Sequence, residues 1–75
     1  MRQGRYNHLY FEVFIQSVTR RESETLSAAG VVASCRLAKA AARAMAARTG
    51  DAATWTVCSA ADPVGHPVAS GTVTP

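Results

Sequence analysis

Four residues of this chain could act as nucleophiles, bases or metal ligands: His8, Cys35, Cys58 and His66. A thiol beside an imidazole supports nucleophilic catalysis, and two thiols with two imidazoles can hold a tetrahedral zinc ion. The four residues are scattered, and none forms the closely spaced pair with which a short loop clamps zinc. We therefore predict no catalytic residue and no metal, and we expect two free thiols buried as small hydrophobic side chains.

The other candidates for site chemistry also have structural explanations. Glu22 and Glu24 suit the first turn of a helix, where carboxylates are favoured. The glycines at 30, 50, 65 and 71 do not assemble into a phosphate-binding loop. We expect no cofactor and no small-molecule substrate, and a protein that acts by binding rather than by catalysis.

Basic side chains offer a different chemistry in a chain with a net charge of +3. Three of them, Arg36, Lys39 and Arg43, fall within about 60° of one another on a helix, and we call these three the basic stripe. The candidate contacts for nucleic acid or an acidic partner are Arg20, Arg21, Arg36, Lys39 and Arg43. The stripe lacks Asn, Gln or Ser at base-reading positions, so it would bind phosphates without sequence preference. A solvated helix face is the simpler explanation.

Residues 6–19 alternate with period two, which predicts a strand after a flexible basic arm at 1–5. One face of this strand is wholly apolar and should point into the core: Leu9, Phe11, Val13 and Ile15. The other face also carries large side chains, namely Tyr6, Tyr10, Phe14 and Val18. Large apolar side chains on both faces of a strand are unfavourable in water. We therefore predict that a second copy of the chain packs against this face. Stacking of unpaired bases on its aromatic rings is an alternative.

A long alanine-rich helix is predicted over residues 23–49, with Gly50 as the residue that ends it. Its packed side is expected to hold Leu26, Ala33, Leu37, Ala41, Ala44 and Met45. Two strands at 53–61 and 68–74 then form a hairpin around a turn at 62–67. Trp55 and Val57 should share one face of the first of these strands.

The whole chain of 75 residues thus reads as a single α+β domain of order β-α-β-β. A three-stranded, mainly antiparallel sheet would carry one helix on one face. The core of such a domain is thin, which favours a homodimer over a stable monomer.

The expected function is that of a small non-enzymatic interaction module that self-associates through its sheet and binds an unidentified protein partner. The alternative is a sequence-nonspecific nucleic-acid-binding protein. We expect a cytoplasmic location without membrane insertion. Abundant alanine and a preference for Arg over Lys are typical of GC-rich genomes, and favour an actinobacterial, phage or plasmid accessory protein.

Overall fold

A computed structural model describes residues 10–61 and 66–75, which form a sheet covered on one face by a helix. The elements are β1 (Tyr10–Ser17), β2 (Ser23–Ala29), α1 (Val31–Thr49), β3 (Ala53–Ser59) and β4 (Ala69–Val73). The strands form one antiparallel sheet in the order β2-β1-β3-β4. Within these residues, the predicted α+β class with one helix and an antiparallel sheet is confirmed.

The prediction of three strands in the order β-α-β-β is wrong, because the first part of the expected helix is a strand. Residues 23–29 pair with β1 from Tyr10↔Ala29 to Gln16↔Ser23, and α1 begins only at Val31. Pairing along the whole of β1 overrides the modest helix propensity of this segment. Glu22 and Glu24 therefore do not lie in a first helical turn.

The other predicted bounds are close to those observed. The strand expected over 6–19 spans Tyr10–Ser17 within the described residues, and the hairpin strands end at Ser59 and Val73. The arm at 1–5, residues 6–9 and most of the turn at 62–67 lie outside the described residues.

The core lies between the sheet and α1. Val13 and Ile15 of β1 are fully buried beside Trp55 and Val57 of β3, and Phe11 packs against them at the edge of the cluster. These side chains occupy alternate positions of their strands, because successive residues of a strand point to opposite faces. The predicted inward faces of β1 and β3 are confirmed for the described residues, and Leu9 lies outside them.

The packed face of α1 agrees with the predicted one only in part. Its buried residues are Ser34, Ala38, Ala42, Met45 and Ala46, of which Met45 was predicted. Ala33 and Ala44 are exposed, and Leu37 and Ala41 are only half-buried. Alanine is the commonest residue of α1 and contrasts weakly with its neighbours, so contact with the sheet decides which small side chains are covered.

Ser34 is a polar residue within this buried face, and its hydroxyl is satisfied locally. It donates to the carbonyl of Gly30 at 2.7 Å and to that of Ala28 at 3.3 Å. The Ser34 N–H also donates to the Gly30 carbonyl, at 3.1 Å. These bonds fasten the first turn of α1 to the end of β2.

The turn between β1 and β2 is organised by Ser17, which is 1% exposed. Its Oγ accepts hydrogen bonds from the N–H groups of Arg21 at 2.9 Å and Glu22 at 3.2 Å. The Arg20 N–H donates to the Ser17 carbonyl, and Arg20 adopts a left-handed φ of 65°. Buried hydrogen bonds of this kind hold a turn in one conformation.

Two contacts join this turn to the end of α1. The carboxylate of Asp51 accepts the Thr19 N–H at 2.9 Å, which lowers the pKa of Asp51. Arg48 donates to Glu22 at 2.6 Å, and that bond together with the charge of Glu22 raises the pKa of Arg48. The helix end and the β1–β2 turn are therefore linked by one hydrogen bond and one exposed ion pair.

Gly30 and Gly50 bound α1, and both have positive φ, but their conformations differ. Gly50 is left-handed (φ 72°, ψ 16°), as predicted for the residue that ends the helix, and its N–H donates to Ala46. Gly30 has φ 86° and ψ 143°, close to a region used almost only by glycine. An added Cβ would meet no atom within 4 Å at either position.

We predict that Gly30→Ala lowers the free energy of unfolding by about 2–3 kcal/mol and Gly50→Ala by only about 1 kcal/mol. Because neither methyl group meets a neighbour, the comparison isolates the backbone conformation. Urea unfolding followed by circular dichroism measures both values. Equal losses would contradict the observed Gly30 conformation.

Gly71 of β4 makes room for the Trp55 indole. A Cβ at this position would lie 2.8 Å from three atoms of the indole ring. The Lys39 ammonium also lies over this ring, 5.9 Å from its centroid. The glycine is therefore required by packing.

We predict that Gly71→Ala destabilises the fold by about 1–3 kcal/mol, because the added methyl group displaces a confined indole. Ser70→Ala, on the exposed face of the same strand, should have little effect. Urea unfolding followed by Trp55 fluorescence compares the two variants. A Gly71→Ala variant as stable as Ser70→Ala would show that the ring is free to move aside.

Candidate interaction site

The face of the sheet opposite α1 is a continuous surface that we call the outer face. Its central residue is Phe14 of β1, which pairs with Thr25 of β2 and Thr56 of β3. Thr56 pairs in turn with Ser70 of β4. One aromatic ring therefore lies in a row of hydroxyl side chains that crosses the sheet.

Large apolar side chains follow β1 along this face. Tyr10 is 60% exposed, Phe14 37% and Val18, just beyond the strand, 53%. These three residues, which we call the apolar stripe, are exposed and belong to the set predicted for the interface. Its fourth predicted member, Tyr6, lies outside the described residues.

The outer face carries little charge. Within the described residues, Glu12 is the one charged side chain that the strand register places there. The remaining outward positions of the four strands are polar or small: Gln16, Ser23, Thr25, Ser27, Ala29, Thr54, Thr56, Cys58, Ser70 and Thr72. Depletion of charge around exposed aromatic rings is typical of the centre of a protein interface.

The basic stripe lies on α1, which covers the opposite face of the sheet. Arg36, Lys39 and Arg43 are exposed on α1, whose opposite side packs against the sheet. Within the described ranges, the single ion pair is that of Arg48 with Glu22, so none of these three side chains has a carboxylate partner. The structure thus separates the basic stripe from the apolar stripe.

Arg20 and Arg21 lie apart from the basic stripe, in the turn between β1 and β2 that also contains Val18 of the apolar stripe. They are exposed at the end of the sheet where β1 finishes. The five predicted basic contacts therefore divide into a helical group and a turn group.

The two cysteines are free thiols in different environments. Cys58 is buried on the outer side of β3, opposite Glu12. Cys35 is only half-buried at the margin of the core, so the prediction of two buried thiols holds for Cys58 alone. His66 is exposed, and His8 lies outside the described residues.

Across residues 10–61 and 66–75, no three His, Cys, Asp or Glu residues form a group suited to a metal ion. No pocket opens among these residues either. No helix in the same ranges has the length and apolar content needed to cross a membrane.

The edge strand β2 is a feature that the sequence interpretation missed. It lies at the margin of the sheet, and none of the other described strands pairs with its outer side. Alternation of Thr25 and Ser27 with Leu26 and Ala28, ending at a glycine, was the available signal. The alanine-rich sequence that follows concealed it, because it made the whole of residues 23–49 resemble one helix.

No known protein family, curated protein or solved structure matched the chain.

Proposed function

We propose that this protein is a small non-catalytic interaction module that self-associates through the outer face of its sheet. The observation that carries the proposal is the apolar stripe on a face with one charged side chain in its described part. A second copy offers the same uncharged, aromatic surface, as a twofold interface requires. An unidentified protein partner could use this face in the same way.

The surroundings of Phe14 support this proposal. Thr25 and Thr56 pair with Phe14 on the neighbouring strands, so hydroxyl groups lie on both sides of the aromatic residue. Two such sheets would stack about 10 Å apart with their side chains interleaved, and the hydroxyl groups would bond across the contact.

We predict that Phe14→Glu converts the associated protein into a monomer, because a carboxylate would be buried in the interface without a partner. The fold should persist, since Phe14 is 37% exposed and lies on the face away from the core. Sedimentation velocity gives the mass, and circular dichroism checks the fold.

Val32→Glu is the matched control for this experiment. Val32 is 63% exposed on α1, so the same charge enters an apolar surface position on the other layer. Its mass should equal that of the wild type. Equal masses for Phe14→Glu, Val32→Glu and wild type would contradict an interface at the outer face.

A second candidate function is sequence-nonspecific binding of nucleic acid by α1. The observation that favours it is the exposure of three basic side chains without a carboxylate partner in the described residues. Base stacking on the outer face has less support. Tyr10 and Phe14 are four residues apart on one strand, or about 13 Å, which is too far for consecutive stacked bases.

We predict that the double variant Arg36→Gln with Arg43→Gln loses retention of duplex DNA at about 50 mM salt, if the wild type shows it. Lys39 is kept because it contacts Trp55. Arg48→Gln is the control, since Arg48 is already paired with Glu22. Wild-type retention that is lost at several-fold higher salt would support this function, and no retention at either salt would exclude it.

The proposed biological setting is that of a cytoplasmic accessory or regulatory protein of the phage or plasmid type. Its support is limited to the small size, the basic charge and the arginine-rich composition.

A further inference from the structure

The outward side chains along β1 are arranged symmetrically about Phe14. The large apolar residues Tyr10 and Val18 lie four positions before and after it. The polar residues Glu12 and Gln16 lie two positions before and after it. Exposure follows the same pattern, because the three apolar side chains are exposed and the two polar ones are half-buried. Reversing the direction of the strand therefore leaves its pattern of apolar and polar side chains unchanged.

Val18 continues this pattern although it lies just beyond β1. Its N–H donates to the Ala52 carbonyl at 2.8 Å, which extends the pairing with β3 by one residue beyond Ser17↔Ala53. Since Ser17 is buried on the inner side, Val18 lies on the outer side. The apolar stripe is therefore about 26 Å long, with Phe14 at its centre.

Glu12 restricts how a partner can cover the apolar stripe. It lies on β1 between Tyr10 and Phe14, so a surface that covers both rings also covers its carboxylate. Among the described residues, this carboxylate takes part in no ion pair. Covering a carboxylate without a hydrogen-bond donor is costly. The partner must therefore place a donor opposite Glu12.

We propose that two copies associate with their β1 strands antiparallel, about a twofold axis at Phe14, so that Glu12 of each copy accepts a hydrogen bond from the Gln16 amide of the other. This inference rests on the proposed self-association and specifies its register. The two Phe14 rings then meet at the axis, and Tyr10 faces Val18 of the second copy. A second copy fits this surface because it supplies the donor that each carboxylate needs.

Neighbouring positions of the axis along β1 leave Glu12 without a donor. An axis at Val13 places the Glu12 carboxylate against the Phe14 ring. An axis at Ile15 places it against Val18. An axis at Glu12 itself, or a parallel arrangement of the two β1 strands, brings the two carboxylates together, which is unfavourable. The axis at Phe14 instead places an amide opposite each carboxylate.

An axis at Gln16 is the remaining alternative, and it would bring Glu12 toward Arg20 of the second copy. Arg20 has a left-handed φ of 65° in the turn, so it does not continue the strand. This axis would also leave Tyr10 beyond the end of the contact. The axis at Phe14 covers all three residues of the apolar stripe.

The dimensions of packed sheets allow the proposed pairing. Two sheets that pack face to face cross at about 30°, and Glu12 and Gln16 each lie about 7 Å from the axis along the strand. The two strands are displaced sideways by only about 3 Å at that distance. The long side chains of Glu12 and Gln16 can bridge this displacement.

The test exchanges the two polar residues. Gln16→Glu places carboxylates opposite each other at two places, and we expect the dissociation constant to rise at least about tenfold. Adding Glu12→Gln restores a carboxylate and an amide at both places, so the double variant should associate about as tightly as the wild type. Sedimentation equilibrium measures the constants, and circular dichroism checks each fold.

Repulsion within one chain does not explain such a rescue. Residues 12 and 16 are four positions apart on one strand, about 13 Å, which exceeds the screening length of about 8 Å in physiological salt. Thr72→Glu is the matched control, because it adds the same charge at an exposed outer-face position of β4, two strands away from β1. Glu12→Gln should change the dissociation constant of Thr72→Glu no more than that of the wild type.

Gln16→Lys gives a second readout in the opposite direction. It places an ammonium group opposite Glu12 of the second copy, so the dissociation constant should fall several-fold. Glu12→Gln should remove this gain. An axis at Gln16 predicts the reverse, because the two lysines would then face each other.

The register and the interface can fail separately. Suppose that Phe14→Glu dissociates the protein but Glu12→Gln does not rescue Gln16→Glu, or that Gln16→Lys weakens association. Either result would overturn the register and leave the outer-face interface standing. Equal masses for Phe14→Glu and the wild type, or a monomeric wild type, would overturn the interface and the register together.

Discussion

Antiparallel pairing of β1 with both β2 and β3 is the constraint on which the described structure depends. β1 contributes to both faces of the sheet. Val13 and Ile15 lie on its buried side, and Tyr10 and Phe14 lie on its outer side. Its backbone needs a partner on each flank, since unpaired buried amides are costly. Residues 23–29 pair with one flank of β1 as a strand, and α1 therefore begins only at Val31.

The consequence for function is a division of surfaces between two layers. α1 covers the inner face with alanine side chains and presents arginine and lysine to solvent on its far side. The outer face keeps aromatic and hydroxyl side chains with almost no charge in its described part. The surfaces proposed for protein association and for phosphate binding therefore lie on different layers, so variants can test each proposal separately.

Strong local patterns could be interpreted from the amino-acid sequence alone. The period-two alternation of β1 placed Val13 and Ile15 inside and Tyr10 and Phe14 outside, and the same alternation placed Trp55 inside β3. Gly50 marked the end of the helix because a left-handed residue commonly follows a helix. The members of the apolar and basic stripes were therefore identifiable before any coordinates.

Three features depended on the tertiary structure. They are the strand conformation of residues 23–29, the choice of buried side chains on α1, and the placement of the two stripes on different layers. The helix and strand preferences of serine, threonine and alanine amount to less than about 1 kcal/mol per residue, so pairing with β1 can override them. Alanine likewise buries equally well from any side of a helix, and contact with the sheet chooses the side. Hydrophobic contrast was strong in β1 and weak in β2 and α1, and prediction from sequence succeeded or failed accordingly.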